Sequence, residues 1–199
     1  TTNTQVTCTV SNGTQTCDAI PVTIYVNSIP SITSTTPNSH CGSGTVNLSA
    51  NASEGNVNWY ANSTGGISLG TGTSFTTPTL NATTTYYVDA TLNSCVSTSR
   101  TAVIASVNSI PTISGTTPAS VCGSGTVNLQ ATASAGNVNW YDASVNGNLL
   151  ASNATTYTTP SISNNTTYYA QAVNNGCFSV SRTAVVASVV ALPSVSTVT

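Results

Sequence analysis

Gly55-Asn56-Val57-Asn58-Trp59-Tyr60 returns unchanged 81 residues later as Gly136-Asn137-Val138-Asn139-Trp140-Tyr141. Trp59 and Trp140 are the only tryptophans in the 199 residues. Alternation puts Val57 and Trp59 on one face and Asn56, Asn58 and Tyr60 on the other, the pattern of a half-buried strand with one large apolar anchor. One anchor per copy makes the chain an array of similar modules.

Upstream, Cys41-Gly42-Ser43-Gly44-Thr45-Val46-Asn47-Leu48 is repeated letter for letter by Cys122 to Leu129. Downstream, Thr76-Thr77-Pro78 and Thr85-Tyr86-Tyr87 recur as Thr158-Thr159-Pro160 and Thr167-Tyr168-Tyr169, now 82 residues on. One residue is therefore inserted between Tyr141 and Thr158, in a hairpin where length is tolerated. Val26-Asn27-Ser28-Ile29-Pro30 recurs as Val107-Asn108-Ser109-Ile110-Pro111, with a weaker copy at Val189-Val190-Ala191-Leu192-Pro193. These borders give complete modules over 28–108 and 109–190. Residues 1–27 read as the C-terminal hairpin of a preceding module, and 191–199 as the start of a following one, so the expectation is an internal segment of a longer repetitive polypeptide. Short connectors stiffened by proline predict a semi-rigid rod.

Within a module, Val46, Leu48 and Ala50 share one face, and Tyr86, Val88 and Ala90 another inner face. A Gly-rich hairpin spans Asn62 to Gly72, Thr76-Thr77-Pro78 marks a corner, Asn93-Ser94-Cys95 makes a turn, and Thr101 to Val107 is the last strand. About seven short strands with regular turn signals predict an all-β fold of tandem immunoglobulin-like antiparallel β-sandwiches.

Charged residues make up 3% of the chain, against about 25% in a typical soluble protein. A net charge of −2 offers no clustered Lys and Arg for nucleic acid. No apolar run approaches the roughly 20 residues of a spanning helix, so no direct membrane insertion is expected. The hydrophobic share of 39%, in alternation, favours folded modules over disorder.

The six cysteines are Cys8, Cys17, Cys41, Cys95, Cys122 and Cys177. An even count, without C-x-x-C pairs and with one histidine, reads as disulfides in an oxidising compartment, with no metal site and no cofactor. Repeat symmetry selects Cys41–Cys95 and Cys122–Cys177, one bridge inside each module, each stabilising its fold by about 4 kcal/mol on the chain-entropy view. Cys8 and Cys17 flank the Asn12-Gly13 turn. Either they bridge that hairpin, or Cys17 matches Cys95 and has its partner outside the chain.

No enzymatic constellation is expected. His40 is replaced by Val121 in the second copy, Asp89 by Gln171, and Asp142 stands where the first copy has Ala61. Four acids in the whole chain make neither a glycosidase pair nor a calcium cage. Arg100 and Arg182 are the repeated charge, in Ser99-Arg100-Thr101-Ala102-Val103 and Ser181-Arg182-Thr183-Ala184-Val185. A guanidinium lying over a tyrosine or bonding backbone carbonyls is the plainer reading, and a sugar or partner contact the sharper one. Tyr60, Tyr141, Tyr87 and Tyr169 point away from the expected core, either packing cross-strand neighbours or offering rings to a sugar. Asn51, Asn62, Asn81, Asn153 and Asn165 head Asn-x-Ser/Thr triplets, which imply glycans only in a host with that machinery.

Taken as a set, the Cys-Gly-Ser-Gly-Thr-Val, Asn-Trp-Tyr, Thr-Thr-Pro and Thr-Tyr-Tyr motifs resemble the immunoglobulin-like repeats, CHU_C-associated type, of very large surface proteins in the Bacteroidota, gliding-motility adhesins among them. The resemblance covers both complete modules. It implies export by the type IX secretion system, display outside the cell on the outer membrane, and adhesion during gliding. Expected partners are neighbouring modules of the same chain, the secretion or gliding machinery, and surface polysaccharide. The expectation is thus a non-catalytic adhesive stalk; the alternatives are a carbohydrate-binding repeat or a spacer in a secreted hydrolase.

Overall fold

The computed structural model describes residues 26–194 in full and, among the first 25, the backbone of four strands together with Gly13. The chain divides into two compact units, Thr1–Val107 and Asn108–Thr199. The first four strands are β1 (Thr2–Val6), β2 (Thr9–Ser11), β3 (Thr16–Asp18) and β4 (Val22–Val26). β1 pairs antiparallel with β4, and β2 with β3. The bridge expected between Cys8 and Cys17 lies outside the described residues, as does most of the expected start of a module over 191–199.

The first repeat continues with β5 (Ile32–Thr36), β6 (Asn38–Cys41), β7 (Asn47–Ala52), β8 (Asn56–Tyr60), β9 (Gly70–Thr71), β10 (Ser74–Thr76), β11 (Thr84–Leu92), β12 (Cys95–Val96) and β13 (Thr101–Asn108). One sheet runs β10-β7-β5; the other runs β6-β13-β11-β8-β9, with β12 also on β11. The second repeat has β14 (Ile113–Thr117), β15 (Ala119–Cys122), β16 (Asn128–Ala133), β17 (Asn137–Tyr141), β18 (Leu149–Ala151), β19 (Thr156–Thr158), β20 (Thr166–Asn174), β21 (Cys177–Phe178) and β22 (Thr183–Val190). Its sheets follow the same orders, β14-β16-β19 and β15-β22-β20-β17-β18, with β21 on β20.

Pro37 and Pro118 sit between β5 and β6 and between β14 and β15. A proline cannot donate to a ladder, so the strand ends there and the chain crosses to the opposite sheet. β15 then runs parallel to β22, with Ala119 level with Ala187 and Cys122 level with Val190. The sandwich is therefore antiparallel except along this pair, a detail that alternation of side chains does not encode.

Each module closes around its own indole. Trp59 packs in a cluster with Val46, Leu48, Val57, Tyr86, Val88 and Val103, and Trp140 in a separate one with Leu129, Val138, Tyr168 and Val185. Both tryptophans are fully buried. Their Nε1–H groups donate to Gly72 O at 2.8 Å and to Ala154 O at 2.9 Å, which removes the desolvation cost of a buried donor. Trp59 stacks on Phe75 with 5.3 Å between ring centroids, and Trp140 on Tyr157 with 5.7 Å. The glycines opening the repeated hexapeptide are also explained. Gly55 and Gly136 have φ of 78° and 74°, and a Cβ on either would collide with the carbonyl oxygen of Thr91 or Val173.

The disulfide assignment needs correction. Cys41 and Cys177 are disulfide-bonded, whereas Cys95 and Cys122 are free thiols. Neither Cys41–Cys95 nor Cys122–Cys177 exists. The second module shows why. Cys122 lies level with Val190, three residues beyond the pairing of Ala187 with Thr166. Cys177 pairs with Asn174 at the far end of the same strand β20. At ~3.3 Å per residue the two stand roughly 35 Å apart along the sheet, and sulfurs cannot join Cα atoms more than about 7 Å apart. Repeat symmetry counted the cysteines correctly but assumed that partners share a module.

Candidate functional site

The outer face of the larger sheet carries the side chains singled out from sequence. Period-two alternation buries Trp59 and Val88 inward and sends Tyr60, Tyr87 and Asp89 outward. Tyr60 stands directly opposite Tyr87 across β8 and β11, as Tyr141 does opposite Tyr169 across β17 and β20.

Arg100, just before β13, reaches over this face. Its Cζ lies 3.3 Å from the Tyr60 ring centroid. Its Nη1 donates to Asn62 O at 2.8 Å and Gly65 O at 2.6 Å, and its Nε pairs with Asp89 Oδ2 at 3.3 Å. Asp89 is only 4% exposed; its other oxygen accepts from Asn58 Nδ2 at 2.9 Å. Arg182 repeats the placement, with Cζ 3.4 Å from the Tyr141 centroid and Nη1 donating to Ala143 O at 2.7 Å. Its Nε faces Gln171 Oε1 at 3.5 Å. In both modules the guanidinium ties the hairpin after the tryptophan strand to the sheet and covers one face of the outward tyrosine. Burial pushes the Tyr60 phenol above its ordinary value, the Asp89 charge adds to this, and Arg100 opposes it.

Each module also carries a shallow depression. One of about 390 Å³ lies beside Arg182, Gln171, Val145 and Val180 in the second module. Another of about 560 Å³ lies between Leu69, Phe75, Pro78 and Tyr86 in the first. Tyr87 and Tyr169 are half-buried.

His40 is exposed, with Nδ1 3.4 Å from Gly42 O. Gly66-Ile67-Ser68-Leu69-Gly70 has the spelling of a nucleophile elbow. It lies in a loop, and Ser68 Oγ donates to Gly70 O at 2.9 Å. Among the described residues no three His, Cys, Asp or Glu side chains gather as a metal site. Asn51, Asn62, Asn81, Asn153 and Asn165 are all exposed, but Asn165 Oδ1 accepts the Val189 N–H at 2.7 Å and Asn81 Oδ1 the Ser43 hydroxyl at 2.8 Å.

Sequence reasoning missed Thr77 and Thr159. Each is 2% exposed, and its hydroxyl accepts the backbone N–H of Val46 or Val127 at 3.0 or 3.1 Å. The available signal was the identity of the Thr-Thr-Pro motif in both copies, which read only as a corner.

Among solved structures, the fibronectin(III)-like modules of Clostridium thermocellum CbhA are similar with a TM-score of 0.52 at 17% identity, covering 81% of this chain and 94% of that one. Extracellular domains 3–5 of Drosophila OTK are similar with a TM-score of 0.45 at 14% identity, covering 93% of this chain and 70% of theirs. At such identities the likeness concerns the fold alone. No curated protein matches the chain. The family model for the CHU_C-associated Ig-like domain matches residues 28–108 and again 109–190. With two sandwiches built on one plan and most of its length matched, the chain belongs to the family of CHU_C-associated Ig-like domains.

Proposed function

We propose that these modules are non-catalytic stalk units of a secreted, cell-surface protein that serves adhesion, with gliding motility and type IX export as the setting that the family's resemblance suggests. The observation that carries this reading is the use made of Arg100 and Arg182. Both guanidiniums are spent on tyrosine and hairpin carbonyls inside their own modules. What faces outward then carries little free charge, suited to spacing and display. Antibodies raised against this chain should label intact cells, with the label removed by surface proteolysis. Label confined to the cell interior would sink the reading. Adhesion should change little between low and high salt, because few charges are available for screening.

A carbohydrate-binding repeat is the second reading, favoured by the exposed apolar rim of Val145 and Val180 beside the depression near Arg182. Glycan arrays on the two-module chain separate the two. Dose-dependent binding lost on Val145→Ser and Val180→Ser favours sugar recognition; its absence favours the stalk. A spacer in a secreted hydrolase is distinguished by a catalytic domain elsewhere on the same polypeptide.

A further inference from the structure

The repeated arginine is satisfied less completely in the second module than in the first. A guanidinium has five N–H donors. Arg100 makes three bonds with them, one to the Asp89 carboxylate and one each to the carbonyls of Asn62 and Gly65. Arg182 makes two, one to Ala143 O and one to Gln171 Oε1 at the long distance of 3.5 Å. Arg100–Asp89 is the only ion pair among the described residues, so the Arg182 charge has no carboxylate against it. Asp142 stands on the neighbouring hairpin, but both of its oxygens accept from Asn148.

Arg182 also lines a depression. Its volume of about 390 Å³ falls at the small end of the ~300–1,000 Å³ of small-molecule sites. Ser144, Val145 and Asn146 wall it from the hairpin, and Val180 and Ser181 from the segment leading into β22. The hairpin wall is held before any ligand arrives. Arg182 bonds Ala143 O, and a Cβ on Gly147 would fall 2.6 Å from Asp142 Oδ1, so the loop is wound closely on that carboxylate. Gln171 Nε2 donates to Ser179 O at 3.1 Å, which turns Oε1 toward Arg182. Groups fixed in advance lower the cost of binding. The first module differs on each count: no residue lining its depression is charged, and Thr98 replaces Val180.

We propose that the depression beside Arg182 binds a sugar bearing a carboxylate, a uronic acid residue of an acidic polysaccharide, with that carboxylate on the guanidinium. A planar guanidinium matches a carboxylate through two parallel hydrogen bonds. Ser144, Asn146 and Ser181 supply hydroxyl and amide groups for the ring hydroxyls. Val145 and Val180, 72% and 91% exposed, supply apolar surface for the C–H face of the ring. The proposal deepens the carbohydrate-binding reading and rests on it; the stalk reading stands apart. A single ionic contact keeps the salt dependence of binding shallow.

The test uses the whole chain and a matched pair of sugars. Galacturonate and galactose differ only at C6, a carboxylate against a hydroxymethyl group. Each is titrated into isotope-labelled protein while amide resonances are followed. Galacturonate should shift Asn146, Gln171 and Ser181, with a Kd roughly tenfold below that of galactose, the scale of one charge-assisted hydrogen bond. Gln171→Asp copies the pairing of the first module. It should weaken galacturonate binding by about tenfold, with Trp140 emission showing that the module is still folded. Equal affinity for the two sugars, an unchanged Kd in Gln171→Asp, or acetate binding as tightly as galacturonate would overturn the proposal. Sugar binding that is lost in Val180→Ser but shows no preference for galacturonate would sink this proposal and keep the carbohydrate-binding reading. Binding of neither sugar, with no hit on the glycan array, would sink both.

Discussion

The two modules hold one arginine in the same place against different neighbours. In the first, Arg100 meets the buried carboxylate of Asp89. In the second, Arg182 meets the neutral amide of Gln171. Both keep the guanidinium 3.3 to 3.4 Å from a tyrosine centroid and both bond a hairpin carbonyl. What the copies share is therefore the clamp on the hairpin, and the ion pair is an addition made by one of them. The rims differ as well. Val180, 91% exposed in the second module, stands where the first has Thr98.

The sharpest way to break this comparison is to remove each cation. Arg100→Met strands the Asp89 carboxylate and should cost the first module about 3–5 kcal/mol, the penalty for breaking a buried pair from one side. Arg182→Met leaves only an amide behind and should cost the second about 1–2 kcal/mol, from a lost carbonyl bond and ring contact. Urea midpoints followed by one tryptophan at a time, in Trp140→Phe and Trp59→Phe backgrounds, assign each loss to its module. Equal losses would mean that Asp89 contributes nothing through its charge. Asp89→Gln, which rebuilds the second arrangement in the first, should be milder than Arg100→Met.

Next in size is a change that should not discriminate. Thr77→Val and Thr159→Val keep the volume but leave the Val46 or Val127 N–H without its hydroxyl acceptor. Each should cost about 1–3 kcal/mol, and by similar amounts. A large inequality would show that the two cores relax differently around the same defect.

These residues also mark where the sequence could be read and where it could not. Val57, Trp59, Tyr86 and Val88 were assigned inward by alternation, and all are buried. Period two is a local property that survives any tertiary arrangement. The state of each cysteine was not legible, because a disulfide joins residues far apart in sequence, and no local pattern carries that. The same limit hid the parallel pairing of β15 with β22 and the bond from Thr77 to Val46, residues 31 apart. Arg100 fell in between: the sequence allowed a tyrosine or a carbonyl as its partner, and the structure uses both.

A smaller contrast lies in the turn before the short strand. Asn175-Gly176 has φ of 48° and 77°, and Asn93-Ser94 has 45° and 68°. Two consecutive positive values suit a hairpin turn that prefers Asn-Gly, so Ser94 carries a strain that glycine would not. Ser94→Gly should stabilise the first module by about 1 kcal/mol, raising its urea midpoint and leaving the second module's unchanged. A loss of stability would mean that the serine makes a compensating contact.

The least effect is expected where the second module gained its extra residue. Asp142 closes that loop by accepting from Asn148 N at 2.6 Å and Asn148 Nδ2 at 2.8 Å; the first module has Ala61 there. The Asn148 side chain holds the Asp142 carboxyl below its ordinary value, aided by the Asn148 backbone N–H and against some desolvation. A depressed carboxylate lends its support in full above the unfolded value and loses it as pH falls through the lower folded one. The Asn148 amide resonance should therefore hold steady down to about pH 4 and shift only below it. The first module's hairpin should show no matching step. A shift beginning well above pH 4, or an unchanged Asn148 resonance in Asp142→Asn, would show that the loop is held by its backbone alone.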